Sequence, residues 1–184
     1  MSTDLVVLDA DGFSRYVDAS VEVYVVAMGK PREVVPGRRS ITARHLSHPG
    51  LRAVIAKHDD GLIGFAYGYF GEPGQWWHDA VANALDRKER QQWLASAFEI
   101  AELHVLPAWQ RQGIGRELLY EVCRDIERST VVLSAIDEET PARHLYRSTG
   151  FHDVLTGFTF SGSSERYAVM GRALPLDPAP SPRL

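Results

Sequence analysis

Apolar and polar positions change period several times along the 184 residues, and each change marks an element. LVVLDA (5–10) has the β-branched run of a short strand. FSRYVDASVEVYVVAMG (13–29) instead spaces its apolar residues by three and four, which predicts one helix ending near Gly29. REVVPGRRSITARHLSHPG (32–50) is broken by Pro36 and closed by Pro49-Gly50, so a short helix between turns is expected. In LRAVIAKHDDGLIGFAYGYFG (51–71) two β-rich runs flank Asp59-Asp60-Gly61, a hairpin signal. A turn and one or two amphipathic helices (71–94) lead to the strand SAFEIAELHVLP (96–107). A glycine turn opens the helix GRELLYEVCRDIER (115–128), followed by the strand TVVLSAI (130–136) and the helix TPARHLYRSTG (140–150). FHDVLTGFTFSG (151–162) and ERYAVMGRALPL (165–176) read as a second antiparallel pair. Strands before and after two late helices predict one α/β domain with a mixed sheet, residues 1–174. Residues 175–184 form a proline-rich tail expected to be disordered.

Composition narrows the function classes. A hydrophobic share of 45% supports one well-packed domain, and a net charge of −4 argues against a general nucleic-acid binder. The single cysteine, Cys123, falls in the apolar register of a helix and reads as a buried structural thiol in a reducing compartment. The N-terminus carries an early acid and no long apolar core, so neither signal peptide nor membrane span is expected, and a cytoplasmic location is the default. No metal is expected.

The stretch LHVLPAWQRQGIGRELL (103–119) carries the most chemistry. A helix that begins in a glycine-rich turn exposes N–H groups without carbonyl partners, and with the helix dipole these favour an anion. Gly113 and Gly115 remove Cβ atoms that would block a ligand, and Arg111 and Arg116 add positive charge; the shape suits a pyrophosphate. A Walker turn is excluded because Arg116-Glu117 follows Gly115. A dinucleotide fingerprint is excluded because Leu118 stands where its third glycine belongs.

With Gln110, Gly113 and Gly115 following AELHVLP, and with PARHLYRSTGF (141–151) later in the chain, the sequence resembles the GNAT superfamily of acyl-CoA-dependent N-acetyltransferases. The close match runs from about Glu99 to Phe151. It implies a single-domain GNAT fold whose splayed central strands form the acyl-CoA cleft, and acetyl-CoA as co-substrate. It places the pyrophosphate at Gln110, Arg111, Gln112, Gly113, Ile114, Gly115 and Arg116, and pantetheine along Leu103, His104 and Val105. Many members carry asparagine where Glu139 stands, and no cofactor contact is assigned to Glu139.

The resemblance also implies direct attack of an amine in a ternary complex. A strand carboxylate, Glu99 or Glu102, is the candidate general base. By alternation the two fall on opposite strand faces; His104 shares the face of Glu102 and is a third candidate, its alternative being a polar surface residue. Tyr146 matches the family tyrosine that protonates the leaving thiolate. Trp76, Trp77, His78 and Asp79 are candidates for meeting the acceptor, with the alternative that one tryptophan anchors its helix in the core. The acceptor is a small-molecule or protein amine; no nucleic acid or membrane partner is expected, and a homodimer through the apolar edges of the terminal strands is a further expectation. A non-catalytic acyl-CoA-binding or regulatory module of the same fold is the other reading.

Overall fold

In a computed structural model of the chain, which describes residues 3–176, seven strands form one mixed sheet in the order β1-β2-β3-β4-β5-β7-β6. The strands are β1 Asp4–Leu8, β2 Arg52–His58, β3 Gly61–Gly71, β4 Ala97–Val105, β5 Thr130–Ile136, β6 His152–Phe158 and β7 Tyr167–Ala173. β4 and β5 pair in parallel, over Ala97↔Thr130, Phe98↔Val131 and Glu99↔Val132. Their ladder ends there, while β5 stays paired with β7 along its whole length. Because β7 lies between β5 and β6, only β6 of the terminal pair is an edge strand, a correction to the reading that both offer edges.

The chain forms two compact units, one comprising residues up to Tyr69 with Ala101–Arg124, the other Phe70–Ile100 with Asp125–Pro175. In the first, the segment expected as one helix is two, α1 Ala10–Ser14 and α2 Val17–Ala27. The Asp9 carboxylate accepts from the Gly12 amide and starts α1 three residues early. Tyr16 N then donates to Phe13 O, and this tight turn ends α1 while seating Phe13 in the core. After a 3-10 turn at Arg32–Val34, α3 runs Val35–His45 with Pro36 in its first turn, where no N–H is needed. Asp59, at φ +50, closes the β2–β3 hairpin as Asp59-Asp60-Gly61 predicted.

Phe13, Ile55, Phe65 and Tyr67 form the centre of this unit's core, with the Phe13 and Tyr67 rings 5.1 Å apart. Each such side chain contributes on the order of 1.5–3 kcal/mol on burial. Gly64 permits the close approach of the strand that follows. A Cβ there would stand 3.0 Å from the His104 carbonyl oxygen and 3.3 Å from Leu118 of α6 (Ile114–Val122).

The second unit holds α4 Trp76–Ala84, α5 Arg87–Trp93 and α7 Pro141–Ser148. Asp86 and Glu89 close a reciprocal capping box on α5, which fixes its start. Trp77, Val81, Leu94, Ala97, Val132 and Val169 belong to its core. The expected tail lies outside the described residues from 177 onward. Among the described residues no helix is long and apolar enough to cross a membrane.

Candidate active site

The end of β4 is turned back on itself by its own side chains. Leu106 N donates to Ile63 O, a 3-10 turn follows at Pro107–Trp109, and Gln110 Nε2 donates to the Val105 carbonyl at 2.9 Å. The chain therefore pauses for one turn before the glycines, where the sequence pattern suggested none. Arg111 (φ +60) and Gly113 (φ +92) both adopt left-handed backbone. Gly113 is the N-cap of α6 and has no side chain to cap with; its carbonyl accepts from Arg116 and Glu117. Among the described residues, no backbone carbonyl accepts from the Ile114 and Gly115 amides. A Cβ built on Gly113 meets nothing within 4 Å, so this side of the turn is open. Uncapped donors at a helix start, beside exposed Arg111 and half-buried Arg116, are suited to a diphosphate.

Upstream of that turn, β4 carries a charged cluster inside the first unit. Glu102 Oε1 lies 3.1 Å from Arg38 on α3, and Glu102 Oε2 lies 2.5 Å from His104 Nε2. Burial opposes ionisation of Glu102. The hydrogen bond and charge of His104, together with Arg38, outweigh it and hold the carboxyl below its usual range. Tyr24 of α2 supports the cluster, its ring 3.9 Å below the Arg38 guanidinium and edge-on to His104 at 5.1 Å. His45 Nδ1 is 3.0 Å from the Tyr67 hydroxyl, and burial pushes its pKa down to about 4, so the ring is neutral at pH 7. Ser20 Oγ and Arg38 Nε are buried without a hydrogen-bond partner among the described residues, and both residues line a cavity of about 10 Å³ beside Glu102.

Glu99 is 3% exposed and lies in the parallel ladder, three residues from Glu102 and on the other strand face. Val105 is buried and Leu103 half-buried. Sequence reasoning found Glu102 and His104 but not Arg38, Tyr24 or Ser20. The available signal was faint: Ser20 and Tyr24, four apart on α2, and Arg38 and Thr42, four apart on α3, place polar groups on the buried stripe.

In the second unit, Thr140 caps α7 by accepting from Arg143 N, and Pro141 occupies the first helical position. Tyr146 is buried, with its ring 5.6 Å from that of Phe151. Arg143, 2% exposed and missed in the sequence, pairs with Asp137 at 2.9 Å and Asp153 at 3.0 Å. These pairs tie α7 to the end of β5 and to β6, one helical turn from Tyr146. Glu139 is held by Arg147, whose hydrogen bond lowers its carboxyl pKa.

The stretch expected to meet the acceptor is divided by α4. Trp77 is buried and its Nε1 donates to Ser134 Oγ at 3.2 Å, whereas Trp76 is 63% exposed and rests on Phe160. His78 is buried with Nδ1 3.2 Å from Asp79, and both oxygens of Asp79 accept from the Gly74 amide.

Comparison with known proteins identifies the family and the fold. Residues 49–153 match the family model of the acetyltransferase (GNAT) domain. A GCN5-like protein acetyltransferase of Mycobacterium tuberculosis is 31% identical over 206 residues, covering 96% of this chain and 100% of that protein. Among solved structures, the ribosomal-protein-S18-alanine N-acetyltransferase of Escherichia coli shares the fold at a TM-score of 0.65 and 15% identity, covering 100% and 99% of the two chains. The PaiA N-acetyltransferase of Thermoplasma acidophilum, solved in complex with coenzyme A, does so at 0.59 and 15% identity, covering 95% and 100%. With the uncapped glycine turn after β4 and a family match spanning more than half its length, the chain belongs to the GNAT superfamily and is an acetyltransferase.

Proposed function

We propose that this enzyme transfers the acetyl group of acetyl-CoA to a primary amine by direct attack in a ternary complex. The observation that carries the reading is the α6 start: left-handed Gly113, open on its Cβ side, with the Ile114 and Gly115 amides uncapped. These donors, with Arg111 and Arg116, hold the diphosphate. Acetyl-CoA supplies an activated acyl group and a thiolate leaving group. Beyond Glu99 the ladder of β4 with β5 has ended, so backbone groups of Leu103–Val105 are assigned to pantetheine and to the thioester oxygen.

An alkyl ammonium, with a pKa of about 10, must lose a proton before it can attack. Glu102, held ionised by His104 and by Arg38, is a weak acceptor by itself, because its proton affinity is lowered. Paired with His104 it does more: the imidazole in its neutral form takes the proton, and the carboxylate balances the charge that forms. Glu99 is the other carboxylate proposed for this role. Tyr146 is assigned as the acid that protonates the departing thiolate, since a phenol keeps its proton at neutral pH. The name of the 31%-identical relative makes a protein amine the first acceptor to test, with Trp76 and Asp79 as the accessible residues of the α4 stretch.

The test is release of free thiol from acetyl-CoA across lysine peptides, free peptide N-termini and polyamines. Release that tracks one acceptor class supports the reading, with Glu102→Gln and His104→Gln each lowering turnover by about a hundredfold or more. Coenzyme A binding without thiol release across the whole panel would overturn it.

A further inference from the structure

The second unit contains a cavity of about 670 Å³ at the starts of β4 and β5, walled by the β3–α4 turn, α4 and α5. That volume is in the range that takes a small molecule, about 300–1,000 Å³. Its charge is one-sided. Arg87, Arg90 and Arg128 stand on the wall against a single carboxylate, that of Glu72, in a chain whose net charge is −4. Several other arginines are paired: Arg38, Arg39, Arg143 and Arg147 each lie within 4.0 Å of a carboxylate. Among the described residues, Arg87, Arg90 and Arg128 have no such ion pair.

The wall is fixed in place. The Arg128 guanidinium lies 3.6 Å from the centroid of the Phe70 ring, which holds it without neutralising it. Gln75, 8% exposed, donates to Phe70 O and accepts from Glu72 N, pinning the chain that turns out of β3. His78, also 8% exposed, lines the same cavity, and Leu94, Pro73 and Ala82 add an apolar surface.

We infer that this cavity is a binding site for a small polyanion, a phosphorylated or polycarboxylate metabolite. Its guanidinium groups take the charged oxygens, and Leu94 and Pro73 take the carbon skeleton. The site is built from α4, α5, the β3–α4 turn and Arg128, and does not depend on the acetyl-CoA reading. It also gives His78 a different neighbour from the cationic acceptor suggested by Asp79, because the cavity beside His78 is basic.

Calorimetric titration tests it with two probes, inorganic pyrophosphate and citrate, each against enzyme saturated with coenzyme A so that the α6 turn is already filled. One saturable site for at least one probe is expected, pyrophosphate alone marking a phosphate ligand and citrate alone a carboxylate ligand. Arg87→Gln/Arg90→Gln should weaken that binding about tenfold or more, since each arginine removed takes away a charge-assisted contact. Both are exposed, and an unchanged melting temperature without ligand verifies that the double variant folds. No saturable binding of either probe, or equal binding by the double variant, overturns the inference. If coenzyme A fails to bind, the titration is run without it, which separates failure of the function reading from failure of this one.

Discussion

Gly113→Ala isolates the backbone geometry on which cofactor binding is proposed to depend. At φ +92 an alanine pays for left-handed backbone, about 1–2 kcal/mol, but its Cβ meets nothing within 4 Å of the rest of the chain. For a chain of this length that is a melting-temperature loss of about 2–8 °C. The new methyl projects on the open side of the turn, where the diphosphate is proposed to approach. Displacing one charge-assisted hydrogen bond costs about 1.5–3 kcal/mol, or about ten- to a hundredfold in Kd for coenzyme A. Gly162→Ala is the matched control, with φ +83 and nothing within 4 Å of its added Cβ. It should lose comparable stability with coenzyme A affinity unchanged. Thermal unfolding and calorimetry on the two variants decide the matter. The reasoning is refuted if Gly113→Ala binds coenzyme A as tightly as wild type, or if both variants weaken binding alike.

Further outcomes follow from the other site residues. Tyr146→Phe keeps the ring packed near Phe151 and should cut turnover at least about tenfold with little change in acetyl-CoA affinity; wild-type turnover would remove the phenol from the mechanism. His45, with its pKa depressed from 6.5 to about 4, leaves the unfolded chain binding the extra proton between those values. Stability is therefore unaffected above pH 6.5 and falls by up to about 1.4 kcal/mol per pH unit down to pH 4. Urea unfolding at pH 7 and pH 5 should show a smaller acid loss in His45→Gln than in wild type, and equal losses would contradict the assignment. Arg38→Ala strips Glu102 of its ion partner and should destabilise the fold by about 1–3 kcal/mol, while raising the lower limb of the pH–rate profile as the carboxyl becomes easier to protonate.

Much of the site was legible because its residues answer local demands. Gly113 is legible because left-handed backbone at an uncapped helix start favours glycine, and Thr140-Pro141 because both suit the start of α7. Asp59-Asp60-Gly61 was legible as a hairpin for the same kind of reason. Alternation along β4 put Glu102 and His104 on one face, and they hydrogen-bond there. What escaped were partners chosen by tertiary packing. Arg38 meets Glu102 across 64 positions of sequence, and Arg143 draws Asp137 and Asp153 from two different strands or their ends. The apolar run at 13–29 hid a helix break because Asp9, outside the run, caps α1 and the Tyr16–Phe13 turn ends it. The basic cavity escaped because Arg128 joins Arg87 and Arg90 only through tertiary packing, from about 40 positions further along the chain.

A crystal structure of the enzyme with coenzyme A bound is the most direct measurement of the central claim. The account predicts diphosphate oxygens about 3 Å from the Ile114 and Gly115 amides, with the sulfur within hydrogen-bond reach of the Tyr146 hydroxyl. Coenzyme A bound with its diphosphate away from those amides, or its sulfur remote from that hydroxyl, would contradict it.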